Sequence, residues 1–246
     1  METRSVPARC GALIAGLLAA GAVQAQAAGP GAPPPSGAGI TPQAVQQFLA
    51  ERQEVEAALA AHAAGRLREA EQRFGALARQ GNALGRYNLA MMHVLGETAQ
   101  PDLQAAVQLL EASAQQGFVR SEYALAQIYE LGVTGAPDLP RAVQWLLRAA
   151  EHGHPDAQLA LATAYYLGRG TAQDLPQAAR WYRIAAQGGD VGAQYLIASM
   201  YEAGYGVAQD LRLARYWYEA AARNGDAAAP HKVREIDARL KAAADE

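Results

Sequence analysis

Apolar residues between Asn82 and Gly225 recur at helical spacing, and the runs break at fixed places. Leu161, Ala162 and Tyr165 lie on one helical face, and Gly168 follows them. Asp174 and Pro176 open a second run, in which Ala178, Tyr182 and Ala185 continue the stripe up to Gly188. Steps of three and four residues put such side chains on one side of an α-helix. Glycine tolerates the positive φ that often follows a helix, so Gly168 marks an end. Asp174 stands where a carboxylate can accept from the open backbone N–H groups of the next helix. Pro176 falls in that helix's first turn, where a missing N–H costs little. The pattern predicts a pair of helices, with Gly188 closing the second, and an all-α chain.

The pair is repeated. Gly96, Gly132, Gly168 and Gly204 are 36 residues apart, and so are Gly117, Gly153, Gly189 and Gly225. The same step links Asp102, Asp138, Asp174 and Asp210, and also Leu103, Leu139, Leu175 and Leu211. Two alanine columns follow it: Ala106, Ala142, Ala178 and Ala214, then Ala114, Ala150, Ala186 and Ala222. Columns that hold over consecutive copies without a gap indicate a repeat array rather than a chance pattern. The copies are 83–118, 119–154, 155–190 and 191–226. Residues 46–82 read as a degenerate first pair: Leu67, Ala70, Ala78 and Gly81 keep the register, but the turn at Gly65 carries no Asp. Residues 227–246 carry a narrow stripe of Val233, Ile236 and Leu240 on a charged helix, as a terminal cap requires.

The N-terminus has a different pattern. Arg4 and Arg9 precede an apolar run from Gly11 to Val23, followed by Ala25-Gln26-Ala27. This is the form of a secretory leader spanning 1–27, and the run is short for a bilayer span. Ala22 stands where a lipoprotein box needs Cys, which argues against a lipid anchor. The proline- and glycine-rich stretch 28–45 is read as linker, with regular structure starting near Pro42. The sole cysteine, Cys10, lies in the leader, so the mature chain can hold no disulfide and must be stable by packing. Net charge is −3, which gives no electrostatic reason to expect nucleic acid.

These columns resemble the Sel1-like repeat, a relative of the tetratricopeptide repeat. The fourth copy carries the pattern closely, in Ala193, Leu196, Tyr201, Gly204, Gly206, Val207, Asp210, Ala214, Trp217, Ala221, Ala222 and Gly225. The middle copies keep Tyr129 with Trp145, and Tyr165 with Trp181, while the first has His93 and Leu109 instead. The resemblance implies a right-handed alpha-alpha solenoid whose first helices line a concave face. It also implies an adaptor role of the kind such proteins commonly play in bacterial envelopes.

Candidate chemistry is sparse. The Asp column recurs at helix starts, which points to capping rather than a row of catalytic carboxylates. Gly168-Arg169-Gly170 and Gly204-Tyr205-Gly206 follow helices rather than strands, have no accompanying lysine, and are not phosphate loops. His152-Gly153-His154 lacks the further ligands a metal needs and reads as an inter-repeat turn. No serine lies in a G-x-S-x-G context. Trp145, Trp181 and Trp217 read as packing between helices. No cofactor or metal is expected.

The chain is therefore expected to be a non-enzymatic, periplasmic or secreted scaffold. Its partner would be another envelope protein or peptide, with no nucleic acid and no stable membrane insertion once the leader is removed. The alternative is a hydrolase or small-ligand binder acting on cell-wall-related or β-lactam compounds; relatives linked to that activity carry a disulfide in every repeat, which this chain cannot form. Binding is expected on the concave face. The stripe of the first copy is Tyr87, Met91 and Val94, at helical steps of four and three. The equivalents are Tyr123, Gln127 and Glu130; Leu159, Thr163 and Tyr166; and Tyr195, Ser199 and Glu202. Arg120 and Asp156 flank them near the helix starts. Tyrosines mixed with hydroxyls and acids suit an extended segment or helix of another protein. Mass analysis of the protein from the envelope fraction should show the loss of about 27 residues; an intact Met1 end would rule the leader out.

Overall fold

The computed structural model describes residues 41–244, and the leader and most of the linker lie outside them. Among the described residues there are eleven α-helices and no strand. In chain order they are α1 (Pro42–Ala63), α2 (Leu67–Arg79), α3 (Ala83–Leu95), α4 (Leu103–Ala114), α5 (Val119–Leu131), α6 (Leu139–Glu151), α7 (Pro155–Leu167), α8 (Leu175–Gln187), α9 (Val191–Ala203), α10 (Leu211–Arg223) and α11 (Ala229–Ala242). Odd-numbered helices are first helices of a pair and even-numbered ones are second helices. The chain forms two compact units, one ending at Pro137 and the other beginning at Asp138.

The punctuation seen in the sequence has local causes. Asp102 accepts from the N–H groups of Gln104 and Ala105, and Asp210 from those of Arg212 and Leu213. Asp138 and Asp174 accept from Arg141 and Gln177. All four are helix N-caps, each worth about 1 kcal/mol. The first helices end at Gly96, Gly132, Gly168 and Gly204, all in the left-handed conformation. At the end of α8 the assignment shifts by one residue. Gly188 is right-handed with φ −71°, and the chain reverses at Gly189 with φ +94°. The reversal therefore belongs to the repeated column of Gly117, Gly153, Gly189 and Gly225, all of which have positive φ.

In the unit ending at Pro137, the first core joins three helices. Ala58 and Ala61 of α1, Ala70, Phe74 and Leu77 of α2, and Met92 of α3 are all at most 1% exposed. Full burial of side chains the size of Phe74 or Leu77 is worth about 1.5–3 kcal/mol each. Gly85 lets α3 close on α2, because a Cβ there would lie 2.5 Å from the Leu77 Cβ. α1 is longer than the rest, at 22 residues against 12 to 14. Its helix begins at Pro42, capped by the Thr41 hydroxyl, and its first turns are exposed, Val45 and Leu49 among them.

In the unit beginning at Asp138, small residues occupy the crossings. Ala142, Ala150, Ala178, Ala186 and Ala214 are at most 3% exposed, as are Ala157, Ala193 and Ala229 at the starts of the first helices. Gly170 and Gly206 sit in the loops between the helices of a pair, both at positive φ. A Cβ on Gly170 would lie 2.5 Å from the Leu139 carbonyl oxygen, and one on Gly206 would collide with the Leu175 backbone. Each loop thus rests directly on the start of the second helix one repeat earlier. Polar stitches cross the same seams: the Gln158 and Gln194 amides donate to the Ala150 and Ala186 carbonyls.

Two substitutions test this packing. Ala186→Leu should overpack a site that is 2% exposed, lowering stability by about 1–3 kcal/mol. Gly206→Ala adds left-handed strain to a backbone collision and should cost at least about 2 kcal/mol. Gly225→Ala has the strain without a neighbour within 4 Å and should cost less. Thermal and urea melts of the three variants give the order, and equal losses at Gly206 and Gly225 would remove the close approach as its cause.

Candidate functional site

The expected binding stripes lie on first helices, and their exposure differs from copy to copy. In the unit ending at Pro137, α3 presents Tyr87, Met91 and Val94, all of them buried. Tyr87 packs on Phe118, the residue just before α5, with ring centroids 5.4 Å apart. Burial raises its phenol pKa, and the charge of Arg120 works the other way. On α5, Tyr123, Arg120 and Glu130 are half-buried and Gln127 is buried. The side-chain oxygen of Gln127 has no hydrogen-bond partner among the described residues. Glu122, beside this stripe, is fully buried.

In the unit beginning at Asp138, the stripe is half-open. Leu159, Thr163 and Tyr166 on α7 and Tyr195, Ser199 and Glu202 on α9 are all half-buried, and Asp156 is exposed. The hydroxyls of Thr163 and Ser199 donate to the carbonyls of Leu159 and Leu196 within their own helices. The ends of α7 and α9 are closed alike: Gln173 donates to the Tyr166 carbonyl and Gln209 to the Glu202 carbonyl, each at 2.8 Å.

Each half-open stripe is tied to the second helix of its own repeat by a tyrosine. Tyr182 of α8 lies 3.0 Å from the Thr163 hydroxyl and packs its ring edge-on to Tyr166, 6.4 Å away. Tyr218 of α10 packs edge-on to Tyr195 at 5.0 Å and donates to Glu202 at 2.8 Å. Burial raises both phenol pKa values; at Tyr218 the hydrogen bond to Glu202 and that carboxylate's charge add to the rise. Both groups are neutral donors at any physiological pH. Glu202 is further held by Arg239 at 2.9 Å and Lys232 at 3.6 Å, both from α11.

Tyr182 belongs to the apolar stripe predicted for its helix, and Tyr218, Lys232 and Arg239 lie outside the predicted site. The signal for the tyrosines is nevertheless visible at the 36-residue step: the column reads Leu110, Leu146, Tyr182, Tyr218. The tryptophans pack. Trp181 and Trp217 are buried, and Trp145 lies under the Arg148 guanidinium, 4.7 Å from the ring centroid. His152 and His154 flank the turn between α6 and α7. Among the described residues no group of three or more His, Cys, Asp or Glu could hold a metal ion. No helix there is long and apolar enough to cross a membrane. The groups that do converge are neutral hydroxyls, aromatic rings and a carboxylate already engaged by cations. Such a set can grip a polar and apolar surface together.

The Sel1 repeat model matches residues 83–118, 119–154, 155–190 and 191–226. Among solved structures, a Sel1 repeat protein from Oxalobacter formigenes is similar at 34% identity and a TM-score of 0.61, over 68% of this chain and 49% of that one. A protective antigen of uropathogenic Escherichia coli strains, described as displaying an SLR fold, is similar at 31% identity and a TM-score of 0.59, over 65% of this chain and 34% of that one. The chain thus spans half or less of the length of these two relatives. No curated protein matches it. Repeats of this kind commonly mediate protein–protein interaction and are generally non-enzymatic. With four consecutive matches over more than half its length and an all-helical solenoid fold in common with these structures, the chain belongs to the Sel1 repeat family.

Proposed function

We propose that this protein is an exported, non-enzymatic scaffold of the bacterial envelope that holds another envelope protein, or a segment of one, on the face of its first helices. The observation that carries this reading is the half-open stripe of Leu159, Thr163, Tyr166, Tyr195 and Ser199, backed by the hydroxyl of Tyr182. Its rings are rigid and amphipathic, so they give contact area with little loss of side-chain freedom. Its hydroxyls can pair with the backbone of an extended or helical segment. The leader-like residues 1–27 support delivery to the periplasm or beyond.

Tyr123 and Tyr166 are the half-buried tyrosines on which this reading places the affinity. In the double variant Tyr123→Ala, Tyr166→Ala, helical content and melting should stay near wild type. Capture of the partner found by in-cell crosslinking should weaken at least tenfold, since each buried tyrosine anchor is worth on the order of 2 kcal/mol. A folded double variant that captures the partner at full strength would refute binding on this face.

A further inference from the structure

α11 keeps the register of a first helix, one repeat after α9. Asp226 and Ala229 stand 36 residues after Asp190 and Ala193. Asp226 accepts from the N–H groups of Ala228 and Ala229, as Asp190 does from that of Ala193. Ala229 and Ala193 are both fully buried. No second helix follows α11 among the described residues.

Its hold on the chain differs in kind from that of the helix it imitates. α9 buries six side chains, α11 only Ala229 and Ile236. Val233 and Leu240 are half-buried beside them, and ion pairs add to the hold: Lys232 and Arg239 on Glu202, and Asp237 on Arg215. Glu202, which α11 holds through these cations, accepts the hydrogen bond of Tyr218, itself fully buried. Lys232 stands within electrostatic reach of Tyr195. One repeat earlier, Tyr182 is equally buried, but the helix that follows it is α9, with a full apolar face.

We propose that α11 is a detachable latch, held by ion pairs on a narrow apolar seat, which closes the Tyr195–Tyr218–Glu202 end of the first-helix face and adds that end to the binding surface when it opens. The inference rests on the reading of that face as a binding surface. Ion pairs of partly exposed groups are screened by salt, whereas apolar burial is not. The latch therefore opens with rising ionic strength while α9 and α10 stay closed.

The experiment is amide hydrogen exchange on the full chain at about 0.02 M and about 0.5 M salt, paired with nitration of tyrosines mapped by mass spectrometry. Glu202→Gln keeps an acceptor for the Tyr218 hydroxyl and removes the charge. Lys232→Gln with Arg239→Gln removes it from the other side, at side chains that are not buried. High salt and both variants should raise exchange across 229–242 at least tenfold and leave 191–223 unchanged. Nitration of Tyr218 should rise with it, while Tyr182, its counterpart under α9, stays protected. Exchange of α11 that ignores both salt and charge removal, or that always moves together with α9 and α10, overturns the latch. Neither measurement involves a partner, so a failed latch leaves the capture test on Tyr123 and Tyr166 standing, and the reverse.

Discussion

Close approach of helix backbones at small side chains is the constraint on which this structure depends. The one cysteine, Cys10, lies outside the repeats, so each repeat is held only by what it buries against its neighbours. Alanine columns at the crossings bring helices near enough for the larger side chains between them to interlock. The same logic reaches the loops, where Gly170 and Gly206 rest on the Leu139 and Leu175 backbones. A larger side chain at any of these points would separate two elements, and a tightly packed interior has little room to absorb that. Small residues therefore set the spacing of the array, and the large ones fill what that spacing leaves.

That spacing leaves many helix ends close to one another, and most of the repeated polar residues serve those ends. The Asp column supplies acceptors to the N-termini of the second helices. Gln173 and Gln209 donate to carbonyls near the C-termini of the first helices, and Gln158 and Gln194 to those of the preceding second helices. A recurring carboxylate in a repeat protein is thus explained by the backbone before any chemistry is invoked, because every helix leaves unpaired groups at its ends. What remains for function is the set of polar atoms not needed by the backbone.

The helix pairs and the family were legible in the sequence because their causes are local: glycine at a reversal, aspartate at a helix start, alanine at a crossing. The extent of α1 was less legible. Its pair lacks an Asp at the turn, and its second helix starts from Arg66 without a side-chain cap, so only Thr41 and Pro42 mark the start. The stripes were half legible. Helical spacing puts Tyr87, Met91 and Val94 on a line, but it cannot say whether that line is covered. Cover depends on residues outside the helix, and here Phe118 lies against Tyr87. The one-residue shift at Gly189 has a similar origin: two adjacent glycines both permit a reversal, and the position shared with the other copies is the one that makes it.

The column that changes type decides which copies must match a buried hydroxyl on the facing first helix. Leu110 and Leu146 are apolar throughout, so nothing near them has to be polar. In the first copy the companion stripe is mostly apolar and fully buried. Tyr182 and Tyr218 fill similar space with rings but end in hydroxyls, and a buried hydroxyl without a partner costs free energy. Each therefore requires a polar atom on the facing first helix, and Thr163 and Glu202 provide it where the first copy has Met91 and Val94. Thr163 and Glu202 lie on different turns of their helices, so the two copies solve the same problem with different residues. The choice has a consequence for the last repeat. A threonine is satisfied by its own helix and the tyrosine, whereas a carboxylate is not, and Glu202 draws Lys232 and Arg239 onto itself. α11 is thus held partly by charge because the tyrosine of α10 was matched with an acid.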